Sequence, residues 1–294
     1  MNNKISLITC TIGEKKDCLI KLLNSLKNQT NKNFEFILID QNAEEKNYLE
    51  LLKDYEKYFT IKYKKSKKGL SLGRNIGIKL AEGRIFGFPD DDCFYDTQTL
   101  KKIKENFEEK EIDILSIRMI NSNPKGRVIQ KNAKNKIIYK KDVFTLTASI
   151  SIFIKNLHLS NEHFDENIGL GSLGIFQGGE DYDIVLRALN ENKRCYYTRE
   201  IVVYHPWDDI EIDKDKVLDK RAYPGGAAEM YILNKNKIGI KFKSFRLLRR
   251  AGIILYYILN GKKQDAVNSC YILKGMIDFF KKENINFEEE VRNQ

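Results

Sequence analysis

The stretch Phe34-Glu35-Phe36-Ile37-Leu38-Ile39-Asp40 constrains the fold more than any other part of the chain. It is too short for a buried helix and almost wholly apolar, so it reads as a strand covered on both faces, and it ends on a carboxylate. Residues 5–10 and 84–88 read the same way. Between them, Leu19, Leu22, Leu23 and Leu26 recur at helical spacing, and helices are expected over 44–57 and 70–81, with a short strand at 60–64. Strands alternating with helices imply parallel pairing with helices on both faces, a Rossmann-like α/β architecture. Right-handed crossovers then place the loops after Thr9, Asp40 and Phe88 on one edge. Further on, the pattern predicts a strand at 113–119, a hairpin of 127–130 with 137–140, a half-buried strand at 146–154, a helix at 181–190, and short strands at 195–198 and 201–204. The sheet is therefore expected to be mixed but mostly parallel.

The edge so defined carries unusual chemistry. Asp90, Asp91 and Asp92 follow Phe88-Pro89, and three adjacent carboxylates repel one another. Hard oxygen ligands at a strand end suit Mg²⁺ or Mn²⁺, although a solvated acidic turn before a helix would carry the same triplet. Gly69 precedes a helix with Arg74 and Asn75 in its early turns, which could meet an anion or only mark a helix start. This is neither a Walker loop nor a dinucleotide fingerprint. Gly178-Gly179-Glu180-Asp181 opens another helix, where acidic residues also suit the helix dipole. Of the histidines His158, His163 and His205, only His205 sits directly at a strand end, where a ligand role beside the acidic site is plausible chemistry.

Composition excludes several classes. With 294 residues, 42% of them hydrophobic, the chain can bury a large core. Its five cysteines are scattered and never spaced C-x-x-C, which argues against a disulfide framework or a zinc site and fits a reducing cytoplasm. No secretory leader or membrane span is read from it. The net charge of +10 is concentrated between Lys235 and Arg250, with no zinc-finger, RNP or KH pattern, so nucleic acid is not expected as a partner.

In their order along the chain, these motifs resemble the family 2 glycosyltransferases of the GT-A fold, mostly bacterial enzymes of surface-polysaccharide synthesis; the resemblance covers about residues 4–235. It implies that Asp90-Asp91-Asp92 is the D-x-D motif, with Asp90 and Asp91 toward the nucleotide and Asp92 on a Mn²⁺ or Mg²⁺ ion shared with His205 of Val203-Tyr204-His205-Pro206. Thr9, Asp40, Gly69 and Arg74 match positions that family members use for a uridine nucleotide. Gly179-Glu180-Asp181 is similar to the motif that carries the catalytic base, implying Asp181 as base and Glu180, with Gly179, toward the acceptor. Arg221-Ala222-Tyr223-Pro224-Gly225-Gly226-Ala227 is similar to a Tyr-Gly-x-Gly loop, from which Pro224 departs. The expected reaction is an inverting transfer from a nucleotide-sugar, a UDP-sugar, to a glycan or lipid-linked acceptor. The absence of Q-x-x-R-W favours addition of one sugar per acceptor. A sugar nucleotidylyltransferase would carry a glycine-rich basic loop near the amino terminus, which is missing, and a noncatalytic membrane-associated module would not need Asp92, Asp181 and His205 together.

The chain thus divides into an expected catalytic domain, 1–235, and a carboxyl-terminal helical segment, 236–294. In that segment Phe245, Leu248, Gly252, Leu255 and Leu259 share one helical face, and Asn260-Gly261-Lys262 breaks the hairpin. The hairpin could simply cap the domain, or it could rest on an anionic membrane surface at the inner face of the cell membrane.

Overall fold

A computed structural model describes residues 3–13, 16–43, 48–123, 133–156, 163–172, 174–206 and 221–281. The first half is β1 (Ile5–Thr11), α1 (Lys16–Lys27), β2 (Phe34–Asp40), α2 (Leu49–Glu56), β3 (Thr60–Lys65), α3 (Leu70–Leu80) and β4 (Ile85–Gly87). There follow β5 (Phe94–Tyr95), α4 (Thr99–Glu109), β6 (Ile114–Asn121), β7 (Lys136–Ile137), α5 (Val143–Leu146), β8 (Ile152–Lys155), α6 (Glu180–Asn190) and β9 (Cys195–His205). Three helices finish the described chain: α7 (Ala222–Lys235), α8 (Ile240–Leu259) and α9 (Lys263–Lys281).

One sheet runs in the order β3-β2-β1-β4-β8-β6-β9-β5, with β7 beside β9. β3, β2, β1 and β4 are parallel, and β6 is parallel to β9. β8 is antiparallel to both β4 and β6, so β9 points the same way as β4. That double reversal brings His205, at the end of β9, to the edge where β1, β2 and β4 end. The period of two sorts the core. Ile5, Leu7, Phe34, Phe36 and Leu38 join the apolar layer beneath α1, α2 and α4, whereas Ile8, Ile37, Ile39 and Phe86 join the layer that α6, α7 and α9 cover. Glu35 falls among apolar neighbours, fully buried. It is tolerated because Ser6 Oγ (2.6 Å), Glu82 N–H (2.6 Å) and Lys62 Nζ (2.9 Å) all donate to it.

Three sequence expectations need correction. The alternating stretch 146–154 is a strand only from Ile152; before it lie α5 and a single 3₁₀ turn at Ser149–Ser151. Ser116 Oγ donates to the Leu146 carbonyl (2.5 Å) and Ser149 N–H to the Asp181 carboxylate (3.0 Å), so long-range polar contacts override the local alternation. The two short strands near 200 are one strand, β9, with a register shift opposite Ile117 and Arg118. Lys136–Ile137 pairs with Tyr196 and Tyr197 of β9, and the other expected hairpin arm, 127–130, lies outside the described residues. Finally, the Tyr223-Pro224-Gly225-Gly226 segment is the first turns of α7 and not a loop; Pro224 sits where a helix has no intrahelical use for an amide N–H.

Gly226 and Gly275 set the closeness of α7 to α9. A β-carbon on Gly275 would fall inside van der Waals contact of the Tyr223 carbonyl, and one on Gly226 would do the same at the Ile272 carbonyl. Both obstacles are backbone, which cannot swing aside. Gly275→Val should therefore lower stability by about 1–3 kcal/mol, read as a lower urea midpoint, whereas Gly252→Ala, at a helical glycine of α8 with nothing within 4 Å, should not lower the midpoint and should raise it by the helix propensity of alanine, about 0.5–1 kcal/mol.

Candidate active site

The carboxyl edge of the sheet encloses a cleft of about 770 Å³, walled on one side by Asp90, Asp91, Asp92 and His205 and bearing Lys68 and Arg221 elsewhere on its lining. Pro89 ends β4 and turns the chain outward, and Thr9 Oγ1 pins that turn by donating to the Pro89 carbonyl (3.0 Å). Thr11 Oγ1 donates to Asp91 Oδ2 (2.6 Å). Asp92 is buried, and its Oδ1 lies 3.0 Å from His205 Nε2.

Asp90, Asp92 and His205 can each present one ligand atom with all three within 4.8 Å of one another. Two donors on adjacent corners of an octahedral ion with bonds of about 2.1 Å stand about 3 Å apart, the separation found between Asp92 and His205. Two hard carboxylate oxygens and one imidazole nitrogen fit Mg²⁺ or Mn²⁺.

Arg74 joins this cluster to the second acidic motif. Its side chain is only 2% exposed; Nη1 donates to Glu180 Oε1 (2.7 Å) and Nη2 lies 3.5 Å from Asp90 Oδ1, too far for a good hydrogen bond. Nη2 is buried without a hydrogen-bond partner among the described residues, and the guanidinium stacks over Phe164 at 5.3 Å. A cation held in this way is left with donor capacity for an anionic group near Asp90.

Gly179, at φ +90°, takes the left-handed conformation that starts α6, and from there the next two side chains diverge. Glu180, 5% exposed, turns back to Arg74. Asp181 turns toward the 3₁₀ turn at Ser149–Ser151 and accepts from Ser149 N–H (3.0 Å) and Tyr182 N–H (2.8 Å). Burial first, and the Glu180 charge second, raise its pKa to about 7, with Arg74 and the two N–H donors only partly opposing them. A carboxylate that titrates near neutrality can take a proton and release it again.

The expected site residues thus fall into tiers. Asp90, Asp91, Asp92 and His205 face the cleft; Glu180 is tied to it through Arg74, and Asp181 is held by the Ser149 and Tyr182 N–H groups. Asp40 is fully buried at the end of β2, with its carboxylate taken by Asn42 N–H (2.9 Å), Tyr63 Oη (2.8 Å) and Lys65 Nζ (3.2 Å). Gly69, at φ +140°, precedes α3, and its carbonyl accepts from Gln41 Nε2 (2.9 Å). Asn75, read as a donor for an anion, is spent on the Phe164 backbone, giving and receiving one hydrogen bond at 2.8 and 3.0 Å. Sequence reasoning missed Gln41, Lys68 and Gln177 in the cleft wall and quoted Arg221 only as part of a motif, because no spacing rule links residues brought together from four separate segments.

A family model, Glycosyl transferase family 2, matches residues 6–169, more than half of the chain. Similar proteins include the Minor teichoic acid biosynthesis protein GgaB of Bacillus subtilis, 31% identical over 201 residues, which cover 64% of this chain and 21% of that protein. Another is the Uncharacterized glycosyltransferase MJ1057 of Methanocaldococcus jannaschii, 26% identical over 194 residues, covering 63% of this chain and 64% of that one. The chain therefore spans between 21% and 64% of the length of these relatives. Among solved structures, residues 1–349 of Staphylococcus aureus TarS in complex with UDP-GlcNAc match with a TM-score of 0.61 at 20% identity, over 78% of this chain and 65% of that one. At that identity the likeness speaks for the fold alone, a GT-A arrangement.

The Asp181 environment yields a prediction independent of any assay of turnover. Its side-chain carboxyl resonance should titrate with a midpoint near pH 7 in NMR, far above the ordinary aspartate value of about 3.9. Glu180→Gln removes one cause of the elevation and frees Arg74 to favour the carboxylate, so the midpoint should move to lower pH. A midpoint that stays put or rises in that variant would refute this account of the electrostatics.

Proposed function

The chain belongs to glycosyl transferase family 2, and from that membership we propose that it transfers a single sugar from a UDP-sugar to a hydroxyl of a glycan or lipid-linked acceptor, in the synthesis of a cell-surface polysaccharide. One observation carries the reading: the buried Arg74 ties Asp90 of the acidic triplet to Glu180 of the Gly-Glu-Asp motif, so nucleotide-side and acceptor-side chemistry share one centre. The names of the relatives agree with it, since GgaB is a teichoic acid biosynthesis protein and TarS was solved with UDP-GlcNAc. We assign residues 1–235 to the catalytic domain and 236–294 to a helical appendage, and place the reaction in the cytoplasm.

In this proposal Thr9, Asp40 and Gly69 shape the nucleotide end of the cleft, while Asp90 and Asp91 meet the nucleotide itself. Asp92 and His205 would hold Mn²⁺ or Mg²⁺, which when bound would lend Lewis-acid stabilisation to the departing diphosphate. Arg74 supports the same negative charge from behind the triplet with Nη2, which faces Asp90 at 3.5 Å without a hydrogen bond. The acceptor hydroxyl attacks the anomeric carbon from the face opposite the diphosphate; the new C–O bond forms as the sugar–phosphate bond breaks, and the hydroxyl proton passes to Asp181. The anomeric configuration inverts. Glu180 keeps one oxygen on Arg74, leaving Oε2, beside Gly169, as the atom available to an acceptor hydroxyl.

Two measurements test this. Uridine diphosphate should bind at least tenfold more tightly with Mn²⁺ than with EDTA, and Asp92→Asn should remove most of that difference; equal affinities would sink the assignment. Asp181→Asn cannot accept a proton, so transfer should fall roughly 10²-fold or more while nucleotide binding persists. Near-normal turnover in that variant, or a product that retains the donor's configuration, would exclude the single displacement.

A further inference from the structure

α8 is unlike every other long helix of the fold: not one of its twenty residues is buried. Phe242 and Leu247 lean on the core, and Arg246 reaches Glu229 (2.6 Å) and stacks over Phe144. Those contacts secure one side only. The opposite side carries Phe245, Leu248, Leu255, Tyr256, Ile258 and Leu259, each more than half exposed, with Leu248 at 72% and Leu259 at 76%. Positions 241, 245, 248, 252, 255 and 259 lie on one stripe at 100° per residue, so the exposed apolar residues from Phe245 to Leu259 form a band about four turns long. A band of this size is not a normal solvent-facing surface.

Charge decides what covers it. α8 contains no acidic residue. Lys241 sits on the apolar stripe itself, Arg249 on its flank, and Lys262 and Lys263 follow at the turn beyond Leu259, all exposed. Two such faces from two copies of the chain would set like charges against each other, which disfavours self-association. A soluble polyanion would satisfy the lysines and arginines and leave the leucines in water. An anionic lipid surface satisfies both, taking the apolar side chains at the level of the acyl boundary while the basic groups reach the headgroups. Tyr256 suits that interface, with an apolar ring and a polar tip. No helix among the described residues is long and apolar enough to cross a membrane, so the geometry is that of a helix lying on the surface.

We propose that α8 docks the protein peripherally on an anionic bilayer through the face of Phe245, Leu248, Leu255 and Leu259, with Lys241, Arg249, Lys262 and Lys263 on the headgroups. Arg246 and Arg250 are not part of the contact: Arg246 is committed to Glu229, and Arg250 is half-buried, its burial disfavouring the charged form. The inference stands apart from the transfer reaction, because vesicle binding and nucleotide binding are measured separately and either can fail alone.

The test uses the full chain, vesicles of pure phosphatidylcholine, vesicles containing phosphatidylglycerol, and soluble polyphosphate. The wild type should sediment with the phosphatidylglycerol vesicles, stay in solution with phosphatidylcholine, and be released by high salt. Lys241→Glu/Arg249→Glu and, separately, Leu248→Ser/Leu255→Ser/Leu259→Ser should each weaken binding at least about tenfold. Unchanged circular dichroism and uridine diphosphate affinity in both variants would show that the fold survives. Absence of vesicle binding in the wild type, equal binding to both vesicle types, or loss of vesicle binding only in the charge variant overturns the proposal. So does displacement from vesicles when the leucine variant converts a dimer to a monomer in solution.

Discussion

Arg74 is the interaction on which the rest of this structure depends. A guanidinium taken almost wholly out of water must be paired, and here the partners come from residues 16 and 106 positions away in sequence, Asp90 and Glu180. Satisfying it fixes the start of α3 against both acidic motifs. Ser71 donates to the Ile168 carbonyl (2.6 Å) and Asn75 exchanges hydrogen bonds with Phe164, so two residues of one helix hold the 163–172 loop beside the cleft. Removing any one acidic partner would leave buried positive charge with less compensation, which is why the two motifs are mechanically as well as electrostatically linked.

The second constraint is topological. Four parallel strands alone would bring only the ends of β1, β2, β3 and β4 to the cleft edge. Inserting β8 in the reverse direction between β4 and β6 restores the original direction in β6 and β9, and so delivers His205 beside Asp92. The same insertion places the turn at Ser149–Ser151, just ahead of β8, where its N–H can hold Asp181. The candidate metal ligands and the candidate base therefore both rest on one antiparallel strand of four residues.

At the other end of the chain, packing separates helices that look alike in sequence. α7 and α9 approach closely at Gly226 and Gly275, and Met276 of α9 enters the main core. α8 has similar hydrophobicity and comparable length but no glycine at which another helix approaches its backbone; Gly252 faces open space. It spans the surface, and its apolar band stays outside.

The sequence alone determined the layered α/β fold, the sheet edge that carries the acidic triplet, and the residue types at that edge. Those follow from local rules: period two in Ile5, Leu7 and Phe36, period 3.6 in Leu19, Leu22 and Leu26, and carboxylates at strand ends. The polar consequences of tertiary contact were not legible. Residues 146–154 alternate like a strand, but their backbone is drawn into turns by Ser116 and Asp181 from distant segments. Asn75 looks like a ligand donor until Phe164 takes it, and Asp40 looks open until Tyr63 and Lys65 close on it. A hydrogen bond or ion pair across a hundred residues leaves no periodic trace, because its energy depends on where two chains cross and not on what precedes either residue. Only the tertiary structure could decide that Glu180 and Asp181, neighbours in sequence and equal in charge, face a buried arginine and a pair of backbone N–H groups respectively.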